Sequence, residues 1–116
     1  WFDRGFVTYS NAAKADMLGV SLELIAEFGA VSEPVVRAMV TGALQFSQAG
    51  VALAVSGIAG PSGGSPDKPV GTVWVGWQRR GCDTSVQCMM FSGDRRAVRH
   101  QAVAAALRGV MTLYGE

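Results

Sequence analysis

Cysteine and histidine are scarce in this chain, and their scarcity removes several chemistries at once. Only Cys82, Cys88 and one histidine, His100, are present. The cysteines form no CxxC pair and His100 falls on a different predicted element, so neither a disulfide framework nor a metal site is expected. Both cysteines read as half-buried apolar side chains in a strand region, which suits a reducing, cytoplasmic setting. A single histidine with no acid at a useful spacing supports no Ser-His-Asp triad, and His100 reads as a helix-surface residue. An excess of charge of either sign is missing too. The formal net charge is +1, so no broad basic surface invites nucleic acid or an anionic membrane, and neither is expected as a partner. No stretch approaches the roughly 18 consecutive apolar residues of a membrane-spanning helix. The opening WFDRGF has neither the basic start nor the apolar core of a secretory signal.

What is present is a globular balance. The 116 residues are 49% hydrophobic and 16% charged, enough for one domain with a sizeable core. Residues 5–9 (GFVTY), rich in β-branched and aromatic side chains, read as a strand. Ser10 and Asn11 open a short helix over 12–17, stopped by Gly19. Ser21 caps a second helix over 22–28, stopped by Gly29. Ser32-Glu33-Pro34 starts a third. Val36, Val40, Ala43 and Leu44 carry its helical spacing to about Gln48, with Gly50 as its end.

The run VALAV at 51–55 fits a strand buried on both faces. Residues 70–77 form a second buried strand, and 84–91 a third with Val86, Cys88 and Met90 on one face. The turn around Gly81 predicts an antiparallel hairpin. Ser92-Gly93-Asp94 opens a long terminal helix with Val103, Leu107, Val110 and Tyr114 on one stripe. Helices before and after buried strands predict an α/β fold, a three-layer α/β/α sandwich with a mixed sheet.

Between the first two buried strands lies a Gly/Ser/Pro segment, 56–69. It starts at the carboxyl edge of a strand, where open α/β sheets bind ligands. Its glycines let backbone N–H groups approach a ligand closely. Ser56, Gly57, Ala59 and Gly60 are therefore candidate substrate-binding residues, with Gly63 and Gly64 beside them. A plain turn is the alternative. No Walker loop, no GxGxxG fingerprint and no GxSxG elbow is present.

The segment SGIAGPSGGSPDKPVGTVW closely resembles the signature of the CinA C-terminal family, the nicotinamide mononucleotide deamidases. FDRGFVTYSNAAKADMLGV, GAVSEPVV and FSGDRRAVRHQAV are similar to further family segments, in order and spacing, across nearly the whole chain. The resemblance implies an amidohydrolase that converts nicotinamide mononucleotide to nicotinic acid mononucleotide and ammonia. It implies a serine nucleophile with a lysine partner, no cofactor, a small-molecule nucleotide as partner, and a homodimer. The family's serine sits in an Ala-Glu-Ser-Cys-Thr-Gly-Gly-like motif that these residues do not contain. The chain is thus expected to be a single CinA C-terminal-like domain, 1–116, without its N-terminal segment. A non-catalytic nucleotide-binding domain, or a regulatory partner domain linked to competence and DNA damage, is the alternative.

Lys14 matches the family lysine. An amine works as a general base only when desolvation or a nearby cation lowers its pKa. Otherwise Lys14 is an ordinary solvated lysine. Tyr9 ends the strand leading to it, and the resemblance suggests that it contacts substrate or assists the lysine; a strand-end aromatic covering the core is the other reading. Arg95 and Arg99 stand four apart on one helix face. Near a helix N-terminus, either suits the substrate phosphate, with Arg96 competing. Asp67 and Lys68, between two prolines, read as loop-tip charges without chemistry.

Overall fold

The computed structural model describes residues 2–115, with side chains through residue 113. Seven elements follow in order: α1 (Asn11–Leu18), α2 (Leu22–Phe28), α3 (Glu33–Gln45), β1 (Val51–Gly57), β2 (Thr72–Arg79), β3 (Ser85–Met90) and α4 (Arg95–Gly115).

The expected caps form. Ala13 N–H donates to Ser10 Oγ at 3.0 Å and Leu24 N–H to Ser21 Oγ at 3.3 Å, each satisfying a donor that a helix start leaves open. Ser32 behaves differently. Its hydroxyl donates to Gly29 O at 2.7 Å, tying the α2–α3 turn together and leaving α3 without a side-chain cap. The third helix also ends earlier than its apolar spacing predicts, at Gln45. The Arg80 guanidinium donates to Leu44 O, Ser47 O and Ala49 O at 2.8, 3.2 and 2.9 Å. It gathers the carbonyls at and beyond the helix end, so the chain turns toward β1 before Gly50.

The sheet runs β1-β2-β3, antiparallel at both pairings, with Val51 opposite Arg79 and Trp77 opposite Ser85. The predicted hairpin turns through Gly81. The parallel part of a mixed sheet is not among the described strands. Helices cover both faces, giving three layers. On one side α1, α2 and α3 pack Leu18, Ile25, Val36 and Val40 against Ala54 and Trp74. On the other, Val98, Ala102 and Ala106 of α4 meet Val73, Val75 and Trp77. Strand alternation divides β2 between the two cores. Fully buried valines such as Val36, Val40 and Val75 each contribute about 1.5–3 kcal/mol by leaving water.

Four local expectations change. Residues 5–9 carry no strand, because no described strand takes up their backbone groups. The segment is held instead by Arg4 Nη1 donating to Phe46 O and by Gln48 N–H donating to Asp3 Oδ2, each at 3.0 Å. Val55 is exposed, so β1 is not buried on both faces. Both cysteines are exposed.

On α4, Val103 is 59% and Leu107 56% exposed, while Val98, Ala102, Ala105 and Ala106 are buried. The Trp77 ring explains this choice. Its Nε1 donates to Ala106 O at 2.8 Å, and an added Cβ at Gly109 would collide with the ring. Only small residues let α4 approach that closely, so the large apolar side chains turn outward. Val110 of the predicted stripe is partly buried there; the Tyr114 side chain lies outside the described residues.

Candidate functional site

The carboxyl end of β1 leads into the glycine loop, and α4 begins beside it. Asp94 starts α4 by accepting the Ala97 N–H at 2.9 Å. Arg95 then reaches back across the gap, and its Nη1 donates to Gly60 O at 3.0 Å. Between loop and helix lies an open cleft of about 360 Å³, lined by Ala59, Pro61 and Val70 on one side and Gly93, Asp94, Arg95 and Arg96 on the other. Among the described residues neither Arg95 nor Arg96 pairs with a carboxylate. The cleft therefore combines apolar walls with two cations at a helix start, a combination that accepts a ring bearing an anionic group.

The loop's own packing fixes its course. Gly60 has φ 85 and precedes a cis Pro61. A Cβ at Gly60 would stand 2.6 Å from Val70 Cγ1, so both φ and space require glycine there. Ser56 and Gly57 belong to β1, opposite Trp74 and Val73. Ser56 Oγ donates to Ala30 O at 2.8 Å, and Ile58 N–H donates to Thr72 O at 2.9 Å. This much of the segment extends the ladder. Among the described residues the N–H groups of Ala59 and Gly60 donate to no protein acceptor. The amides open to a ligand are thus narrowed from 56–60 to these two.

Lys14 lies on the opposite, α1 side. Gly19 and Val20 close that short helix back onto Ala15 O and Lys14 O. Lys14 is 6% exposed, and its Nζ donates to Thr8 O at 2.7 Å. Among the described residues no carboxylate approaches it. Burial holds the amine below the ordinary lysine value of 10.5, since desolvation penalises the charged form. An ordinary solvated lysine would be neither buried nor shifted.

The expected residues do not all meet. Gly60 and Arg95 are in contact, and Ala59 shares their cleft. Arg96, named only as a competitor, lines that cleft, whereas Arg99 lines a separate apolar groove with Leu53, Val55, Val103 and Leu107. Tyr9 is 93% exposed and does not cover the core. No hydrogen bond joins Lys14 to the glycine loop. Sequence reasoning gave Lys68 no part, yet its Nζ donates to Phe28 O at 2.6 Å. A partner 40 positions away leaves no local signal. Among the described residues no group of three His, Cys, Asp or Glu side chains could hold a metal ion, and no helix is long and apolar enough to cross a membrane.

Comparison with known proteins gives a consistent result. The family profile described as the CinA C-terminal domain matches residues 1–114. The chain is similar to the nicotinamide-nucleotide amidohydrolase PncC of Escherichia coli strain K12, 56% identical over 108 residues that cover 93% of this chain and 66% of that protein. A CinA-like protein of Akkermansia muciniphila is 52% identical over 110 residues, covering 95% of this chain but 27% of its own. Among solved structures, the competence/damage inducible protein CihA from Agrobacterium tumefaciens superposes with a TM-score of 0.94 at 45% identity, over 97% of this chain and 68% of that one. The chain spans about two thirds of the length of the curated amidohydrolases it matches, and slightly under that for the Escherichia coli protein. The buried lysine, the glycine loop and the arginine-bearing helix start thus sit in the fold of known relatives: the chain belongs to the CinA C-terminal domain family.

Proposed function

We propose that this chain forms most of an amidohydrolase domain acting on nicotinamide mononucleotide, releasing ammonia and nicotinic acid mononucleotide. The observation that carries the reading is the Lys14 amine, buried, without a carboxylate partner, and held below the ordinary lysine pKa. Desolvation moves such an amine toward the neutral form that can accept a proton, which full solvation opposes. The names of the amidohydrolase relatives support the substrate.

In the proposed reaction a serine outside these 116 residues attacks the carboxamide carbon. Lys14 takes the serine proton and delivers it to the leaving nitrogen. The C–N bond breaks, ammonia departs, and water then cleaves the acyl-serine ester to give the acid. The free N–H groups of Ala59 and Gly60 are the loop's donors to the bound nucleotide, and Arg95 with Arg96 holds its phosphate. Tyr9, lying out in solvent within this chain, contributes once the serine-bearing segment is in place. The extra length of the relatives supports such a segment. So do residues 5–9, whose backbone joins no described strand, and the exposed Val55, Val103 and Leu107, which it would cover. The test is ammonia release from nicotinamide mononucleotide by the full-length protein. Release supports the reading. Tight nucleotide binding without release overturns it in favour of a non-catalytic binding domain.

A further inference from the structure

The glycine loop is fastened at a point remote from the cleft. Its tip forms a closed turn, in which Ser65 N–H donates to Lys68 O at 3.0 Å and Lys68 N–H donates to Ser65 Oγ at 3.1 Å. From that turn the Lys68 ammonium extends to the last residue of α2 and donates to Phe28 O at 2.6 Å. It lies so close over Gly29 that a Cβ there would stand 3.0 Å from Nζ. The carbonyl end of a helix attracts a cation, so the contact is favourable from both partners.

The contact bears on the cleft through two residues. Lys68 is followed by Pro69, whose ring restricts the backbone, and then by Val70, which lines the cleft. Val70 packs against the bare backbone of Gly60 and Gly64, and Gly60 O receives Arg95. One mechanical path therefore runs from the end of α2 through Lys68, Val70 and Gly60 to Arg95. Asp67, next to Lys68, makes no ion pair among the described residues, so the ammonium is given to the Phe28 carbonyl and not to its neighbouring acid.

We propose that Lys68 is a positioning residue for the substrate cleft, holding the tip of the glycine loop on the end of α2 so that Val70 and Gly60 keep the cleft open to the nucleotide. The inference rests on the amidohydrolase reading for its substrate but not for its mechanics.

The experiment uses the full-length protein as wild type, Lys68→Met and Lys68→Arg. It measures steady-state ammonia release from nicotinamide mononucleotide, the thermal midpoint, and amide hydrogen exchange over residues 58–71. Loss of positioning raises KM by about tenfold in Lys68→Met and leaves kcat within about threefold. Exchange over 58–71 accelerates while the core helices stay protected. Lys68→Arg, whose guanidinium reaches the same carbonyl, restores KM and exchange toward wild type. The proposal is overturned if Lys68→Met leaves KM within about twofold of wild type, or leaves loop exchange unchanged. It is also overturned if Met and Arg variants are equally impaired with a matching fall in thermal midpoint, which would mark a purely structural cap. Should the wild-type protein release no ammonia, the substrate reading fails, and loop exchange alone then decides the role of Lys68.

Discussion

Arg95 Nη1 donates to the Gly60 carbonyl oxygen at 3.0 Å, which ties the first turn of α4 to the glycine loop. The same guanidinium lines the cleft beside Arg96, so it orders one wall and supplies charge to the other. Removing a charge-assisted contact of this kind costs about 1.5–3 kcal/mol, or about 10–100-fold in affinity. Arg95→Ala is expected to raise KM for nicotinamide mononucleotide by that factor. Arg99→Ala, altering a residue in a different groove, is expected to leave KM within about twofold. Steady-state kinetics of the two variants checks both, and equal effects would remove the distinction between the arginines.

Lys14 makes stability depend on pH in a definite direction. Burial lowers its folded-state pKa beneath the ordinary 10.5, so between those two values the unfolded chain binds more protons than the folded one. Stability then rises with pH across that window, and the contribution is lost as pH falls through the lowered value. Lys14→Met removes the titration. The wild-type melting temperature is expected to gain on that of Lys14→Met as pH rises through the lowered value toward 10.5. A difference independent of pH in thermal melts would show that the amine is not shifted.

Gly109 and Trp77 set how closely α4 packs. A methyl group at Gly109 meets the indole ring, whose Nε1 is held by Ala106 O at 2.8 Å. Gly109→Ala should therefore destabilise the fold by about 1–3 kcal/mol through overpacking, although alanine is the better helix former. Urea denaturation measures it. A stabilised variant would mean that α4 sits farther from the sheet.

Arg80 closes the end of α3 with three donations to carbonyl oxygens. Arg80→Met is expected to cost about 1–2 kcal/mol, below the sum of three bonds because water replaces it at the exposed acceptors. Chemical denaturation with unchanged m-value is the check.

Where structure follows from short-range chemistry, the sequence was readable. Ser10 and Ser21 start their helices, and the 22–28 prediction for α2 matches residue for residue. The hairpin around Gly81 follows from its neighbours in the same way. The misses share a different cause. Residues 5–9 have strand-forming side chains, yet a strand exists only with a partner for its backbone. Hydropathy alone turns the large apolar residues of α4 inward, whereas the Trp77 ring opposite selects alanine and Gly109. At the site, the family motifs point to Lys14 and the glycine loop, and the burial of Lys14 is what the structure adds. The use of Lys68, Arg80 and Ser56 as long-range donors was not, because their acceptors lie 40, 36 and 26 positions away.

The most direct measurement of the central claim is single-turnover ammonia release from nicotinamide mononucleotide by the full-length protein, compared with Lys14→Met at neutral pH. Methionine keeps the buried volume and removes the proton acceptor. If Lys14 is the base, the rate falls by about 10²–10⁴-fold with substrate binding retained. A Lys14→Met variant that releases ammonia at the wild-type rate would contradict it.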